Sequence, residues 1–324
     1  MKIKKNNLYI GIGIIVVVTL LVFYLKPFKK SQEPENNAAN QSEWKVDKDG
    51  YLSYPLERSE VLFNRQDYAQ DGNLTIHKIT YRSTNADIYG FLVLPSSAKE
   101  LLPGVVLLPG AGVSKESELG LAKKIASLDI AVLTIDQRGV GETKSAVTNL
   151  DQDFASFSIG QEPYQHLMVY DALRAYDLMK NVPFIDSSRI IIAGESLGGR
   201  IAIIATAIDR NVKGALVISS AGFDFKEKGD AQKDRFLKSI DSDHYISLIS
   251  PRKLVMMHNA NDKIIPVSFA AASFVKAQEP KEFVLVNDTS CNHGYCDSMY
   301  NGLVESLDYL LDIKSKTLVS VPDK

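Results

Sequence analysis

Cysteine is scarce in this sequence, and neither sign of charge is in large excess. Two cysteines, Cys291 and Cys296, occur among 324 residues, which is too few to build a fold on disulfides, so a hydrophobic core must stabilise the chain. The net charge is −2, with no basic surplus to suggest a nucleic-acid partner. The two cysteines are not spaced as C-x-x-C and no second ligand pair exists, so a metal site is not expected.

Long apolar runs are also rare, and the exception lies near the N-terminus. Leu8 to Leu25 is an uncharged run of 18 residues, which as a helix would extend roughly 27 Å, close to the hydrocarbon thickness of a bilayer. It ends in Phe23, Tyr24 and Leu25 before a lysine, which favours an uncleaved anchor over a secretory signal with a small-residue cleavage site. We therefore expect residues 1–25 to be a single-pass membrane anchor inserted in the lipid bilayer, with the bulk of the protein outside the cytoplasm.

The chain after the anchor divides into a linker and one domain. Ser31 to Ser42 is polar and has no periodic apolar residue, so residues 26–43 are expected to form a flexible linker. Residues 44–324 have the ordinary composition of a globular domain. Trp44, the only tryptophan, is expected to pack in that domain rather than to bind a ligand.

The domain alternates strand and helix patterns. Stretches of alternating apolar residues up to Leu94 predict antiparallel leading strands. Gly104 to Leu108 and Ile130 to Ile135 are continuous apolar runs, typical of strands buried on both faces, and a helical pattern over Glu116 to Leu128 separates them. This alternation predicts an α/β fold with a mostly parallel central sheet flanked by helices, and ligand chemistry at the carboxyl ends of the strands.

Two connecting segments are expected to border that edge of the sheet. Gly141 to Glu162 has no clear periodicity and is interpreted as a loop whose Phe154 and Phe157 could form apolar pocket walls. Pro163 to Lys180 has one apolar helical face and should cover the sheet. Phe223 to His244 is charged and helical in composition, which predicts a short lid or surface insertion.

The richest chemical signal is a serine between a strand and a helix. Ile190 to Ile192 forms a short β-branched run, and an apolar helical run resumes at Leu197, which places Ser196 on the turn between them. Gly194 and Gly198 lack Cβ atoms and so relieve the crowding of so tight a turn. The first amides of the new helix, beginning with Leu197, have no intrahelical partners and can stabilise negative charge.

The sequence Gly194-Glu195-Ser196-Leu197-Gly198 resembles the nucleophile elbow of the α/β hydrolase superfamily, and the resemblance extends over most of residues 60–313. The compact elbow and the lack of a large cap resemble the dienelactone hydrolase and prolyl oligopeptidase branches. This resemblance implies a serine esterase that needs no cofactor. Peptidase, thioesterase and acyltransferase activities remain alternatives, as does a catalytically silent membrane-anchored binding protein.

The resemblance also implies the partners of the serine, because in this superfamily the acid and then the histidine follow it along the chain. His293, beyond the last predicted strand, is expected to be the base. Asp262, which follows the strand Lys253 to Met257, is expected to be the acid, and Asp224 is the alternative acid. His258 is expected to make a structural contact near the acid loop.

The remaining expectations concern the oxyanion hole and the cysteines. By similarity to the family, the amides of Leu197 and Ala111 should hold the oxyanion. Arg138, in the sequence DQRGVG, is expected to have a structural role. Cys291 and Cys296 bracket His293, and outside the cell a disulfide between them would stabilise that loop by about 2 kcal/mol.

Overall fold

The computed structural model describes residues 43–96 and 100–314. The predicted anchor over residues 1–25 lies outside the described residues, as does the linker up to residue 42. In the part of the chain that the structure describes, no helix combines the length and apolar character needed to cross a bilayer.

The core of the domain is a nine-stranded sheet with the order β11-β10-β9-β8-β6-β7-β5-β4-β3. From β7 to β11 neighbouring strands are parallel, whereas β5 pairs antiparallel with both β4 and β7. The predicted mostly parallel α/β sheet with antiparallel leading strands is thus confirmed. The strands are β3 (Phe63–Asp71), β4 (Leu74–Ser83), β5 (Ala86–Pro95), β6 (Leu102–Leu108), β7 (Ala131–Ile135), β8 (Ile185–Glu195), β9 (Gly214–Ile218), β10 (Lys253–Asn259) and β11 (Lys281–Val286).

Helices cover both faces of the sheet, and a two-stranded ribbon precedes it. The ribbon consists of β1 (Lys45–Val46) and β2 (Leu52–Ser53). The helices are α1 (Lys115–Ala126), α2 (Leu150–Ser158), α3 (Tyr164–Lys180), α4 (Leu197–Ile208), α5 (Ala231–Ser239), α6 (Ser242–Tyr245), α7 (Val267–Lys276) and α8 (Tyr300–Leu311). Short 3-10 turns cover Ile246–Ile249 and Asp297–Met299.

The central strands are buried because helices lie against both of their faces. Val105 and Leu107 of β6 pack in one cluster with Leu121 of α1 and Leu303 of α8. Gly104 of β6 lies against α3 instead, since a Cβ added there would come within 3.0 Å of Met179 Cε. Successive side chains of a strand point to opposite faces, so α1 and α8 cover one face and α3 the other.

The interpretation of residues 141–162 as a loop is wrong for the second half of that segment. Leu150–Ser158 forms α2, whose N-terminus carries a capping box: Asn149 accepts a hydrogen bond from the Gln152 amide, and Gln152 accepts one from the Asn149 amide. The two reciprocal bonds satisfy backbone donors that a short helix would otherwise leave unpaired. The cap, rather than apolar periodicity, specifies this helix.

The two phenylalanines of that segment do not form a wall of the cavity beside Ser196. Phe157 is 4% exposed and packs with Phe236 and Ile240, and Phe154 and Trp44 pack against this cluster. The packing role predicted for Trp44 is confirmed, because its ring lies 6.1 Å from that of Phe157 and 5.6 Å from that of His166. This small cluster joins the N-terminal ribbon to α5.

Candidate active site

Ser196 occupies the tight turn between β8 and α4. Its backbone has φ 50° and ψ −115°, a left-handed conformation that a residue with a side chain rarely adopts. A hydrogen bond from the Ser196 amide to the Ile218 carbonyl (2.9 Å) fixes the turn to β9. Strained backbone of this kind persists where the surrounding structure specifies it, and here it presents the serine side chain at the carboxyl edge of the sheet.

Two glycines allow the turn to pack as tightly as it does. A Cβ added to Gly194 would lie 2.4 Å from the carbonyl carbon of Gly198, across the turn itself. A Cβ added to Gly198 would lie 2.1 Å from the Leu108 carbonyl oxygen at the end of β6. The absence of side chains therefore lets the first turn of α4 touch β6, as the sequence predicts.

His293 and Asp262 come together although 31 residues separate them. His293 Nδ1 lies 2.8 Å from Asp262 Oδ2 and 3.0 Å from Asp262 Oδ1. An ionised carboxylate accepts hydrogen bonds only, so Nδ1 carries the proton and Nε2 keeps a free lone pair. Nε2 is buried and has no hydrogen-bond partner among the described residues. This is the tautomer that a general base requires.

The carboxylate of Asp262 is held in its charged form. Burial opposes ionisation, but amide donors of Ile265 (2.8 Å) and Ile264 (2.9 Å) and the bond to His293 outweigh it and lower the pKa of Asp262. His258 Nε2 donates to the Ile265 carbonyl at 2.8 Å, the structural contact expected of this histidine. The acid loop is thus fixed by its own backbone.

The alternative acid occupies a different environment. The Asp224 side chain is 57% exposed and its Oδ1 accepts a hydrogen bond from Lys276 Nζ at 2.8 Å. Lys276 lowers the pKa of Asp224 through this bond and its charge. Of the two candidate acids, Asp262 is the one hydrogen-bonded to His293.

A half-buried glutamate connects the histidine loop to the serine turn. Glu195, which precedes Ser196, accepts a hydrogen bond from the Tyr295 amide at 2.8 Å. Glu118 of α1 is 3% exposed, and its Oε1 has no partner among the described residues. Burial and the nearby Glu195 charge raise the pKa of Glu118, and burial also raises that of Glu195. Both carboxyl groups are therefore easier to protonate than an ordinary glutamate.

The disulfide predicted between Cys291 and Cys296 is present, with the two Cα atoms 6.0 Å apart. The ring that it closes contains His293. The hydroxyl of Ser219 donates to the Gly294 carbonyl at 3.2 Å, a second restraint on the same loop. The covalent link and these hydrogen bonds together limit the positions available to the imidazole.

The loop that carries Ala111 is fixed by the segment after β7. Gln137 Nε2 donates to the Pro109 carbonyl at 2.5 Å. Neighbouring Arg138, 1% exposed, donates to both carboxylate oxygens of Asp171 at 2.7 and 2.9 Å. The structural role predicted for Arg138 is confirmed by these buried bonds.

A cavity of about 460 Å³ opens beside Ser196. Leu197 and Ala111, the two expected amide donors, both line it. Phe223, Ile264 and Phe269 form an apolar part of its wall and are exposed by 51%, 62% and 58%. Asp224 and Asp243, which both pair with Lys276, also line the cavity. The segment predicted as a lid thus contributes Phe223 to the wall.

Sequence reasoning missed Arg200, which also lines this cavity. It lies in the first turn of α4, and its guanidinium carbon is 4.3 Å from the centre of the Phe223 ring. The sequence feature that could have identified Arg200 is that it is the one charged residue in the apolar run Leu197 to Ala207. Among the described residues, no group of three or more histidine, cysteine, aspartate and glutamate side chains is placed to hold a metal ion.

Comparison with known proteins agrees with this architecture. The family model for acetyl xylan esterase (AXE1) matches residues 56–232, more than half of the chain. Protein YfhR of Escherichia coli O157:H7 is 22% identical over 232 residues, covering 66% of this chain and 76% of that protein.

Two solved structures share the fold. Acetyl xylan esterase from Paenibacillus sp. R4 superposes with a TM-score of 0.64 at 21% identity, over 78% of this chain and 89% of that one. Acetyl xylan esterase 1 from Thermoanaerobacterium sp. JW/SL YS485 gives a TM-score of 0.65 at 14% identity, with the same coverage of both chains. The chain therefore belongs to the acetyl xylan esterase family of the α/β hydrolase fold and is a carboxylesterase-like serine hydrolase.

Proposed function

We propose that the protein is a membrane-tethered esterase in which Ser196, His293 and Asp262 act as a catalytic triad through an acyl-enzyme. The observation that carries the proposal is the hydrogen bond between His293 Nδ1 and Asp262 (2.8 Å), made by a loop that is itself bonded to the residue before Ser196. Glu195 and Tyr295 supply that link at 2.8 Å.

The proposed reaction assigns one step to each of these residues. His293 Nε2 accepts the proton of Ser196 as Oγ attacks the ester carbonyl, and Asp262 stabilises the resulting imidazolium. The amides of Leu197 and Ala111 stabilise the oxyanion of the tetrahedral intermediate. As the intermediate collapses, His293 returns the proton to the departing alcohol, and a water molecule then hydrolyses the acyl-enzyme by the same steps.

A fluorophosphonate probe tests the nucleophile. We expect the wild-type protein to be labelled and the Ser196→Ala variant not to be. Ser188 is an exposed serine of the strand before the turn, hydrogen-bonded to Asp186, and the control variant Ser188→Ala should keep full labelling. Folded wild-type protein that takes up no probe would contradict the proposal.

A panel of candidate substrates tests which bond the protein hydrolyses. It contains 4-nitrophenyl esters of graded chain length, acetylated xylan, a thioester and a peptide amide. Acetylated xylan is included because two relatives of the same fold are described as acetyl xylan esterases. We expect esters to be cleaved far faster than the amide. A preference for the amide would reassign the protein as a peptidase.

The proposal of a membrane tether is based on the apolar run Leu8 to Leu25. We expect the full chain to remain in the membrane pellet after alkaline carbonate extraction, and a protease added to intact cells or spheroplasts to cleave its domain. Release into the supernatant would contradict the anchor, and protection from the protease would reverse the orientation.

A further inference from the structure

Arg200 is a cation without a polar partner in the cavity beside the proposed nucleophile. No hydrogen bond or ion pair joins its guanidinium to any described residue, and its Nη1 is buried. Burial lowers the pKa of Arg200 to about 10, partly offset by the charge of Asp241, so the group remains charged at neutral pH. A buried charge without a partner is costly unless something else pairs with it.

The acidic groups near Arg200 accept hydrogen bonds from donors other than Arg200. Asp241 accepts hydrogen bonds from the amides of Phe223 (2.9 Å) and Phe225 (3.2 Å). Asp243 and Asp224 both accept from Lys276 Nζ, at 2.7 and 2.8 Å. Asp243 Oδ1 has no partner of its own, and its carboxylate already shares the Lys276 cation. Within the described chain, Arg200 therefore feels the charge of Asp241 but forms no ion pair with an acidic side chain.

The guanidinium has donors to offer an anion. Its carbon lies 4.3 Å over the Phe223 ring centre, and no described residue accepts a hydrogen bond from its N–H groups. Those donors form the fork that binds both oxygens of a carboxylate. The apolar side chains of Ile264 and Phe269 on the same cavity wall suit a hydrocarbon spacer between that carboxylate and the ester.

We propose that the preferred substrate is an ester that carries a free carboxylate, which Arg200 binds while Ser196 attacks the ester carbonyl. This inference rests on the proposed esterase function. It makes Arg200 the residue that selects the substrate, since the apolar wall by itself would accept neutral and charged esters of the same shape according to their hydrophobicity alone.

Kinetics with matched esters test the proposal. One pair is 4-acetoxybenzoate and its neutral methyl ester, with the charge on the alcohol side. The other is 4-nitrophenyl hydrogen adipate and 4-nitrophenyl hexanoate, with the charge on the acyl side. In at least one pair, we expect the wild-type kcat/KM for the anionic ester to be at least about tenfold higher than that for the neutral ester. In Arg200→Gln, the ratio of the anionic to the neutral kcat/KM should fall to one or below.

Two further variants separate binding from general effects of charge. Arg200→Lys should keep part of the preference, because the charge stays while the bidentate fork is lost. Arg82→Gln removes an equal charge from β4, where Arg82 pairs with Asp87 at 3.1 Å, and should leave the ratio unchanged. Equal or lower kcat/KM for the anionic ester in both pairs, or a ratio that Arg200→Gln does not change, would overturn the proposal.

Binding to an inactive chain keeps the two proposals distinguishable. Calorimetry on the Ser196→Ala variant measures the affinity for adipic acid monoanilide and for neutral hexananilide, and this binding requires no turnover. We expect tighter binding of the anion, lost in Ser196→Ala/Arg200→Gln. If the probe and panel detect no esterase but the anion binds through Arg200, the proposed function fails and the carboxylate site remains. If neutral esters are cleaved and the anion is preferred in neither assay, the esterase remains and the carboxylate site fails.

Discussion

Two arginines in this domain lie in opposite electrostatic situations. Arg138 is 1% exposed and is bonded to both oxygens of Asp171 and to the Thr84 carbonyl at 2.7 Å. Arg200 stacks on Phe223 and makes no hydrogen bond or ion pair with any described residue. Paired buried charges fix the scaffold, whereas an unpaired cation in a cavity costs stability that a ligand can restore.

The same contrast extends to carboxylates. Asp177 and Asp209 lie away from the cavity and are both bonded to Arg58. Glu118, which is close enough to Glu195 for that charge to raise its pKa, has an oxygen with no partner in the described chain. Arg200 and Glu118 thus each have a buried polar atom without a partner, whereas Arg138, Asp177 and Asp209 form ion pairs.

The largest expected effect on stability comes from breaking the paired arginine. Arg138→Met leaves the Asp171 carboxylate buried without its cation, and we expect a loss of about 3 to 5 kcal/mol in the free energy of unfolding. Chemical denaturation measures it. The double variant Arg138→Met/Asp171→Leu, which removes both charges, should recover most of the loss. If the double variant shows the same loss in the free energy of unfolding, the cause is lost packing and not the unpaired charge of Asp171.

At the site we expect a large effect on rate with a small effect on folding. Asp262→Asn should lower kcat by at least about a hundredfold, because the amide cannot stabilise the imidazolium of His293. Asp224→Asn, at an exposed residue, should change kcat by less than about threefold. Steady-state kinetics with 4-nitrophenyl acetate decide between them, and the reverse pattern would make Asp224 the acid.

Replacing the unpaired arginine should stabilise the protein, in contrast to Arg138. We expect Arg200→Met to raise the free energy of unfolding by about 1 kcal/mol, because methionine has a similar length and carries no charge that must be desolvated without a partner. The denaturation series used for Arg138→Met provides the measurement. A loss above about 1 kcal/mol would show that Arg200 belongs with the paired charges.

The smallest effect concerns Glu118 and depends on pH. Its pKa is raised in the folded state, so the folded protein binds the proton more tightly than the unfolded chain, and stability falls as pH rises from the unfolded pKa through the folded one. Glu118→Gln mimics the protonated form. We expect its melting temperature to exceed that of the wild type by about 2 °C at pH 9, with a smaller difference at pH 5. An equal difference at both pH values would place the cause elsewhere.

Local patterns in the sequence were sufficient to predict the sheet and the turn at Ser196. Continuous apolar runs identified β6 and β7, and the glycines around Ser196 predicted a turn whose crowding the structure displays. The resemblance to the α/β hydrolase superfamily, in which the acid and then the histidine follow the serine, implied Asp262 and His293, and the structure brings these two into hydrogen-bond contact. The helix α2 was missed although its capping residues, Asn149 and Gln152, are visible in the sequence.

The environment of the site could not be predicted in the same way. Whether Arg200 faces a cavity or solvent depends on the packing of Phe223, which comes from a different segment. The effect of the Glu195 charge on the pKa of Glu118 likewise involves a strand and a helix far apart in sequence. Such contacts depend on tertiary packing, which no local pattern encodes.

The close contact between Gly198 and the Leu108 carbonyl limits how this protein can evolve. A methyl group at position 198 would lie 2.1 Å from that oxygen, so even alanine would push the serine turn away from the sheet. The serine turn is therefore closed to substitution at this position, and new specificities would arise from the residues that line the cavity. Phe223, Ile264 and Phe269 are the accessible positions, because their exposed side chains can change size without disturbing a neighbouring strand.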